Sequence, residues 1–342
     1  MNDSVSTNEK SEPTTAHAKN EQQPLASVVV CVYNRPHDAI RCIDSLLSQE
    51  YTPYEIIVID DASCDLDQQA LHHYISRDLS NKIQLVIHDT NQGLSASRNH
   101  AISLARGDFI AFIGPDCTAG KDWLTHLLTP ILSNECVAAS GVVIDVGGSS
   151  WADLAIRGAT NIVAARNCGR PLIGNNMAFR GDVLRRFCFD IAMTLYADED
   201  DLARRLIKAG YKIGFAPDAI VYHNHPMTVA KYLRQAWLQG QGSAYYWWKH
   251  RIFIGRDILF LVLAIVTLPL IIMGWPATLV PPTFFTLHVA AHIFNERFLK
   301  GKSWLITFYV LPLIIVYTLI KATSWTCWWV RVAVNQSAQK SS

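Results

Sequence analysis

Apolar residues recur along this chain in two patterns, short unbroken runs and stretches of helical spacing, and the two alternate. Ser27–Val32 is an unbroken run, interrupted by Tyr33-Asn34-Arg35-Pro36; from Asp38 the spacing of Ile40, Ile43, Leu46 and Leu47 predicts a helix. Runs at Glu55–Ile59, Ile83–Ile87 and Phe109–Ile113 predict further strands, with a helix carrying Ala101, Ile102, Leu104 and Ala105 before the last. Strands that are apolar at every position are buried on both faces. The alternation therefore predicts an α/β body, a mostly parallel sheet with helices on either side. Farther on, Val137–Val146 reads as a strand, and Leu172–Phe189 as a loop and short helix around Gly174-Asn175-Asn176. Leu202–Leu206 opens a helix that Gly210 stops. Lys212–Phe215 and Ala219–Tyr222 read as two short strands. Val229–Lys249 reads as a helix whose aromatic end, Tyr245-Tyr246-Trp247-Trp248, adjoins Lys249, His250 and Arg251, a pairing found at membrane interfaces.

Beyond that helix the pattern changes. Ile258–Met273, Ala277–Phe294 and Trp304–Ile320 are apolar runs near the ~20 residues a spanning helix needs, and Trp325–Val330 prolongs the third. The chain accordingly divides into a polar, disordered N-terminal arm (1–25), an α/β body (26–228), an interfacial helical linker (229–256), membrane-embedded helices (257–332) and a polar tail (333–342). Lys249, Arg251 and Arg256 before the first run place the body on the cytoplasmic side of an inner membrane as a multi-pass protein, with the side of the C-terminus left open. His288, His292 and Glu296 share one helical face, read either as a contact for a lipid-phosphate acceptor or as an interfacial helix end.

Composition narrows the function classes. The 342 residues carry a formal net charge of +1, and no basic stripe is present, so nucleic acid is not an expected partner. The eight cysteines include no metal-type spacing and read as reduced thiols in a cytosolic body. In parallel sheets ligands bind beyond the carboxyl ends of the strands. There this sequence places Tyr33-Asn34-Arg35, Asp60-Asp61 and Gly114-Pro115-Asp116. No G-x-G-x-x-G follows the first strand, which disfavours a dinucleotide fold.

Seven segments in order, Val32–Pro36, Val58–Ser63, Asn91–Asn99, Ala105–Ile110, Gly114–Asp116, Gly174–Arg180 and Asp198-Glu199-Asp200-Asp201-Leu202, resemble family 2 of the inverting glycosyltransferases. The likeness spans about Ala26 to Trp248 and implies the GT-A fold, a Rossmann-like catalytic domain, here followed by an α-helical transmembrane region. It implies a nucleotide-sugar donor held by Tyr33, Asn34 and Arg35 near the ribose and base, with Asp60 or Asp61 accepting from the base or a ribose hydroxyl. A plain turn is the alternative for Asp61, and a plain loop for Asn91-Gln92-Gly93. The free amides of a helix N-terminus at Asn91-Gln92-Gly93 also suit a phosphate, with Arg98 facing the diphosphate, and the resemblance implies Asn175 and Asn176 near the transferred sugar.

Family members carry Asp-x-Asp where this chain has Gly114-Pro115-Asp116. The implied Mg2+ or Mn2+ then rests on Asp116, with His223 beside it. The implied base is Glu199, with Asp198 and Asp200 as reserves, and Asp201 is expected to cap the following helix. Arg234-Gln235-Ala236-Trp237 departs from the acceptor motif of processive members, so transfer of one sugar is expected. The resulting expectation is a membrane-anchored enzyme moving a sugar, from a UDP-sugar by expectation, to a glycan or lipid-linked acceptor in cell-surface polysaccharide synthesis. The alternatives are transfer to polyprenyl phosphate and a catalytically inactive nucleotide-sugar-binding scaffold.

Overall fold

The computed structural model describes residues 23–78, 80–146, 172–193, 196–224 and 228–251, together with helical residues between 316 and 332. In chain order the elements are β1 (Ala26–Val32), α1 (Pro36–Leu47), β2 (Tyr54–Asp60), α2 (Asp65–Ile75), β3 (Ile83–Ile87), α3 (Leu94–Leu104), β4 (Phe109–Ile113), β5 (Cys117–Ala119), α4 (Trp123–Leu132) and β6 (Ala138–Asp145). They continue with β7 (Asn176–Arg180), α5 (Gly181–Phe187), α6 (Asp198–Lys208), β8 (Ile213–His223) and α7 (Val229–His250). The strands form one sheet in the order β3-β2-β1-β4-β7-β6-β8-β5.

The unbroken apolar runs are explained by two cores, one on each side of the sheet. Val28, Val30, Val32, Ile56, Val58, Ala111 and Ile113 face the side packed by α1 and α4, where Ile43, Leu46, Trp123 and Leu127 are buried. Their neighbours Val29, Ile57, Ile59, Ile110 and Phe112 face the side packed by α3, α5 and α6, through Ala101, Leu184, Leu202 and Leu206. Successive strand residues point to opposite faces, so a strand covered on both sides has no polar position.

The sheet is mixed rather than mostly parallel across its width. β1, β2, β3 and β4 pair in parallel, as do β6 and β8, but β7 runs antiparallel to both β4 and β6, and β5 antiparallel to β8. β7 was expected as loop; its apolar side chains Met177, Ala178 and Phe179 are fully buried by pairing on both edges. The two short strands expected near residues 212–222 are one bulged strand, β8. While β6 advances from Ser140 to Val142, β8 advances from Phe215 to Ile220, carrying Pro217 and Asp218 out to solvent. Asp201 does not cap α6 as expected. Ala197 holds the cap position, in left-handed conformation, and Asp201 lies inside the first turn with its carboxylate buried.

β1 is followed by a connection to β2 on one side, while β3 connects through α3 to β4 on the other. The reversal opens a crevice between the carboxyl ends of β1 and β4, where open α/β sheets bind ligands. Among the described residues no helix is long and apolar enough to cross a membrane. The runs at 258–273 and 277–294, most of 304–320, the arm up to residue 22, and His288, His292 and Glu296 lie outside the described residues.

Candidate active site

The first acidic centre is built by strand register. His223 ends β8, and its cross-strand partners are Asp145 on β6 and Cys117 on β5, the residue after Asp116. The imidazole therefore stands between two carboxylates. Its Nδ1 is 2.6 Å from Asp145 Oδ1, and its Nε2 is 3.3 Å from Asp116 Oδ2. Burial disfavours the imidazolium, but hydrogen bonds to Asp116 and Asp145 outweigh it and push the His223 pKa up to about 9. Arg35, expected near the ribose and base, reaches across the crevice and donates from Nη1 to Asp116 Oδ2 at 2.5 Å. One carboxylate oxygen, one imidazole nitrogen and the Cys117 sulfur lie within 4.8 Å of one another. Burial, then the Asp116 charge, holds the Cys117 thiol well above its usual range and so protonated, which leaves Asp116 and, once its Nε2 proton is displaced, His223 as the donor pair. The Asp116 oxygen suits Mn2+ or Mg2+, whose remaining positions are normally filled by water and substrate phosphates, and an imidazole nitrogen in the set favours Mn2+ over the oxygen-seeking Mg2+.

Gly114 stands where the family pattern has its first acid. A Cβ at that position would stand 3.0 Å from Asn175 Cγ and Oδ1 and 3.0 Å from Asp116 Oδ1. The Asn175 carboxamide thus borders the space that a side chain at residue 114 would need. Asn176, its neighbour, faces inward and is fully buried. Its Oδ1 accepts from Trp123 Nε1 at 2.9 Å, and its Nδ2 donates to the carbonyls of Val142 at 2.9 Å and Ala219 at 2.7 Å. It pins α4, β6 and β8 around β7, and its polar atoms point away from the crevice.

The second acidic centre lies in the first turn of α6. Asp198 is buried and paired with the guanidinium Nη1 of Arg98, whose Nη2 donates to the Gly174 carbonyl at 2.9 Å. Glu199 is half-buried beside it, and Asp200 follows. Burial, then the charge of Asp198, its hydrogen bond and the charge of Asp200, hold the Glu199 carboxyl well above the usual range. Burial works in the same direction on Asp198, but Arg98 and hydrogen bonds from Glu199 override it and hold Asp198 below the usual range. Two adjacent acids are thereby driven apart, one fixed as a carboxylate and one poised to carry a proton. Such divergence marks acid–base sites.

One turn brings the two centres together. A Cβ on Gly174 would lie 3.7 Å from Glu199 Cδ, while Asn175 adjoins Gly114 and Asp116. The charges of both Glu199 and Arg35 act on the half-buried Tyr196. Asp116 and Glu199 therefore face one crevice.

On the nucleoside side, Tyr33 is exposed, and Asn34, with φ 53, donates its amide to Ser63 Oγ at 2.8 Å while its Oδ1 accepts from Cys64 N at 2.8 Å. Asp60 is buried and accepts from Ser63 N at 2.9 Å. Asp61 accepts from the amides of Gln92 and Gly93, each at 2.8 Å, and contacts His88 Nδ1 at 2.8 Å. These contacts clasp the loops after β1, β2 and β3 into a floor for the crevice and direct the Gly93 amide inward, to Asp61.

Two family models cover this architecture. The model of glycosyl transferase family 2 matches residues 27–180, and that of glycosyl transferase family group 2 matches residues 131–334, more than half of the chain. This chain is a family 2 glycosyltransferase. The glycosyltransferase AglE of Haloferax volcanii is 25% identical over 249 residues, 68% of this chain and 77% of that protein. The putative glycosyltransferase EpsH of Bacillus subtilis is 40% identical over 107 residues, 31% of this chain and 30% of EpsH. The putative colanic acid biosynthesis glycosyl transferase WcaA of Escherichia coli is 34% identical over 115 residues, 34% of this chain and 39% of WcaA. Among solved structures, the mannosyltransferase PcManGT of Pyrobaculum calidifontis, in complex with GDP-Man and Mn2+, superposes with a TM-score of 0.57 at 19% identity, over 89% of this chain and 87% of that one. The last likeness establishes the GT-A fold of this glycosyltransferase.

Asp145 was not singled out in the sequence, although it closes a strand run just as Asp60 and Asp116 follow theirs; that position was its signal. Arg106 belongs to a matching segment but serves the opposite end of the sheet, where its Nε donates to Glu55 at 2.7 Å.

Proposed function

We propose that this glycosyltransferase moves a single sugar from a nucleotide-sugar, with inversion, onto a hydroxyl of a glycan or lipid-linked acceptor in cell-surface polysaccharide synthesis. The observation that carries the reading is the turn at Gly174-Asn175, which faces Asp116 on one side and Glu199 on the other. Glu199, once deprotonated, takes the proton of the attacking hydroxyl. Asp116 and His223 hold the divalent cation, with Asp145 orienting the imidazole from behind. When bound, that cation offsets the charge developing on the departing diphosphate. Arg35, now on Asp116, is placed to turn toward the phosphates when the cation takes over that carboxylate. Tyr33, Asn34 and the Asp60-Asp61 corner border the nucleoside, and Asn175 the sugar. A UDP-sugar is the expected donor, although the structurally similar PcManGT was crystallised with GDP-Man.

The three apolar runs after residue 257 and the aromatic end of α7 support a membrane anchor with the catalytic body on the cytoplasmic side. Retention of the full chain in the membrane pellet after alkaline carbonate washing is the expected result, and release to the supernatant would remove the anchor.

The deciding experiment is nucleotide-diphosphate release by detergent-purified protein across a panel of nucleotide-sugars, with Mn2+ or Mg2+ and native lipid extract. Release with one donor, abolished in Asp116→Ala and Glu199→Gln, establishes the enzyme and names the sugar. Donor binding with no release from any donor and acceptor would favour the inactive scaffold.

A further inference from the structure

We propose that Arg98 is a positioning residue for the general base rather than a ligand of the diphosphate: it clamps Asp198 to the Gly174 turn, and Asp198 in turn holds Glu199 at the edge of the crevice. The inference rests on the reading of Glu199 as the base and deepens it. Arg98 enters from the first turns of α3, and its residue is 5% exposed. One terminal nitrogen is spent on Asp198 Oδ2 and the other on the Gly174 carbonyl. The guanidinium carbon lies 5.1 Å from the Phe189 ring centroid and 5.8 Å from that of Phe112, so aromatic faces close the remaining approaches. Gly174 is part of the device, because a Cβ there would stand 2.9 Å from Arg98 Nη2.

Four charged or titratable groups, Asp198, Asp200, Arg98 and Tyr196, surround Glu199. Cys31 lies against Arg98 from β1, its thiol pushed up to about 12 by burial and therefore neutral. Among these Arg98 is the cation, and it sits on Asp198. A buried carboxylate that loses its close cation takes up a proton. Without Arg98, then, Asp198 is released from the Gly174 turn and takes up a proton more readily, and Glu199 loses the direct attraction of the Arg98 charge, so the pair as a whole holds its protons more tightly.

The test needs no donor. Infrared difference spectra of the full-length protein in detergent follow protonated carboxyl groups against pH, and the band lost in Glu199→Gln belongs to Glu199. Arg98→Ala is expected to raise the pH at which the protonated carboxyl bands of the Asp198–Glu199 pair disappear by about one unit or more. Asp198→Asn, which removes the negative charge beside Glu199, should lower the Glu199 midpoint instead. Arg98→Lys, which keeps a cation, should restore most of the wild-type midpoint. Should Arg98→Ala fail to fold, Gly174→Ala displaces the guanidinium and is expected to move the midpoint in the same direction. Calorimetry with UDP and with GDP, each with Mn2+, should show affinities within about threefold of wild type in Arg98→Lys and Gly174→Ala, a difference below ~1 kcal/mol. A midpoint that stays put in Arg98→Ala and Gly174→Ala would overturn the proposal; a tenfold or greater loss of nucleotide affinity would return Arg98 to the diphosphate. Failure of the base reading shows separately, as turnover that survives Glu199→Gln.

Discussion

At the scale of single residues, the site is governed by how burial divides charge among its acids. Glu199 is held protonated at the pH where a free glutamate would be ionised, first by burial and then by Asp198 and Asp200. That one displacement has two outcomes. As the proposed base Glu199 would be inactive below its raised pKa, so turnover should climb with pH through that value, and Glu199→Gln should lower kcat by about 10²–10⁴. The stability effect has the opposite sign. A folded pKa above the unfolded value means that the stabilising contribution is complete below the usual glutamate range and is lost as pH rises through the folded value. Glu199→Gln, which never ionises, should therefore match wild type near pH 4 and melt ~2–4 °C higher at pH 8, the shift that about 1 kcal/mol produces at this size. Thermal unfolding at the two pH values, beside donor turnover, checks both. Gly114 permits a second prediction of this kind. Gly114→Asp recreates the acid pair of the family pattern, but its Cβ would meet Asn175 and Asp116 at 3.0 Å. It should lower kcat/KM about tenfold or more rather than raise it, as initial rates with the donor identified in the release assay would show.

At the scale of elements, the site depends on strands whose pairing places its residues, and one glycine makes the outer half of the sheet possible. Where β8 detours between Phe215 and Ile220, Gly141 of β6 lies opposite, and a Cβ there would stand 2.1 Å from the Ala219 carbonyl and 2.5 Å from Asn176 Nδ2. Gly141→Ala must push β8 outward and break the bond from Asn176 to Ala219, costing about 3 kcal/mol, readable as a lowered midpoint in urea. Because β8 ends in His223, Mn2+ affinity should fall with it. The elements that were legible in the sequence are those whose apolar run is carried within their own segment. β1, β2, β3, β4 and β6 appear within one residue of their predicted bounds, although β3 is only partly buried and β6 contains Ser140 and Gly141. β7 was not legible. Asn176-Met177-Ala178-Phe179-Arg180 begins with an asparagine that looks like loop, and its strand character comes from pairing with β4 and β6 on both edges. The inward direction of Asn176 and the role of Asp145 were hidden for the same reason. Each depends on a cross-strand neighbour far away in the chain, which spacing does not encode. Asp116, His223 and Glu199 could be singled out because the family pattern has its acids and a histidine at these places, at the end of an apolar run or the start of a helix; their roles are those we propose.

At the scale of the whole molecule, α7 joins the catalytic body to the C-terminal helix. Asp201, two residues beyond Glu199, is fully buried and meets Lys249 Nζ at 2.6 Å and His250 Nε2 at 2.8 Å at the far end of α7, with Arg205 Nε at 2.7 Å on its other oxygen. Lys249 also pairs with Asp190 at 2.7 Å. A buried carboxylate needs such partners, so the last turn of α7 is locked to the first turn of α6. Along the middle of α7 two glycines admit different neighbours. A Cβ on Gly242 would stand 2.7 Å from the Tyr196 carbonyl, beside the base, whereas one on Gly240 would stand 2.4 Å from the Lys321 carbonyl and 2.8 Å from Ser324 Cβ. Ser324 Oγ also donates to the Trp237 carbonyl at 2.6 Å, and Trp247 packs edge-on against Trp325. Substitutions two residues apart on one helix should therefore separate two functions. Gly242→Ala presses on the segment that leads into Glu199, and should lower kcat about 10–100-fold with nucleotide affinity unchanged. Gly240→Ala presses on the C-terminal helix instead, and should speed amide exchange around residues 320–332 while leaving Asp198 and Glu199 in place. Hydrogen exchange and nucleotide-diphosphate release, measured on both variants, decide the matter. If Gly240→Ala silences release as fully as Gly242→Ala does, the C-terminal helix is part of the catalytic assembly and α7 transmits its position to the base.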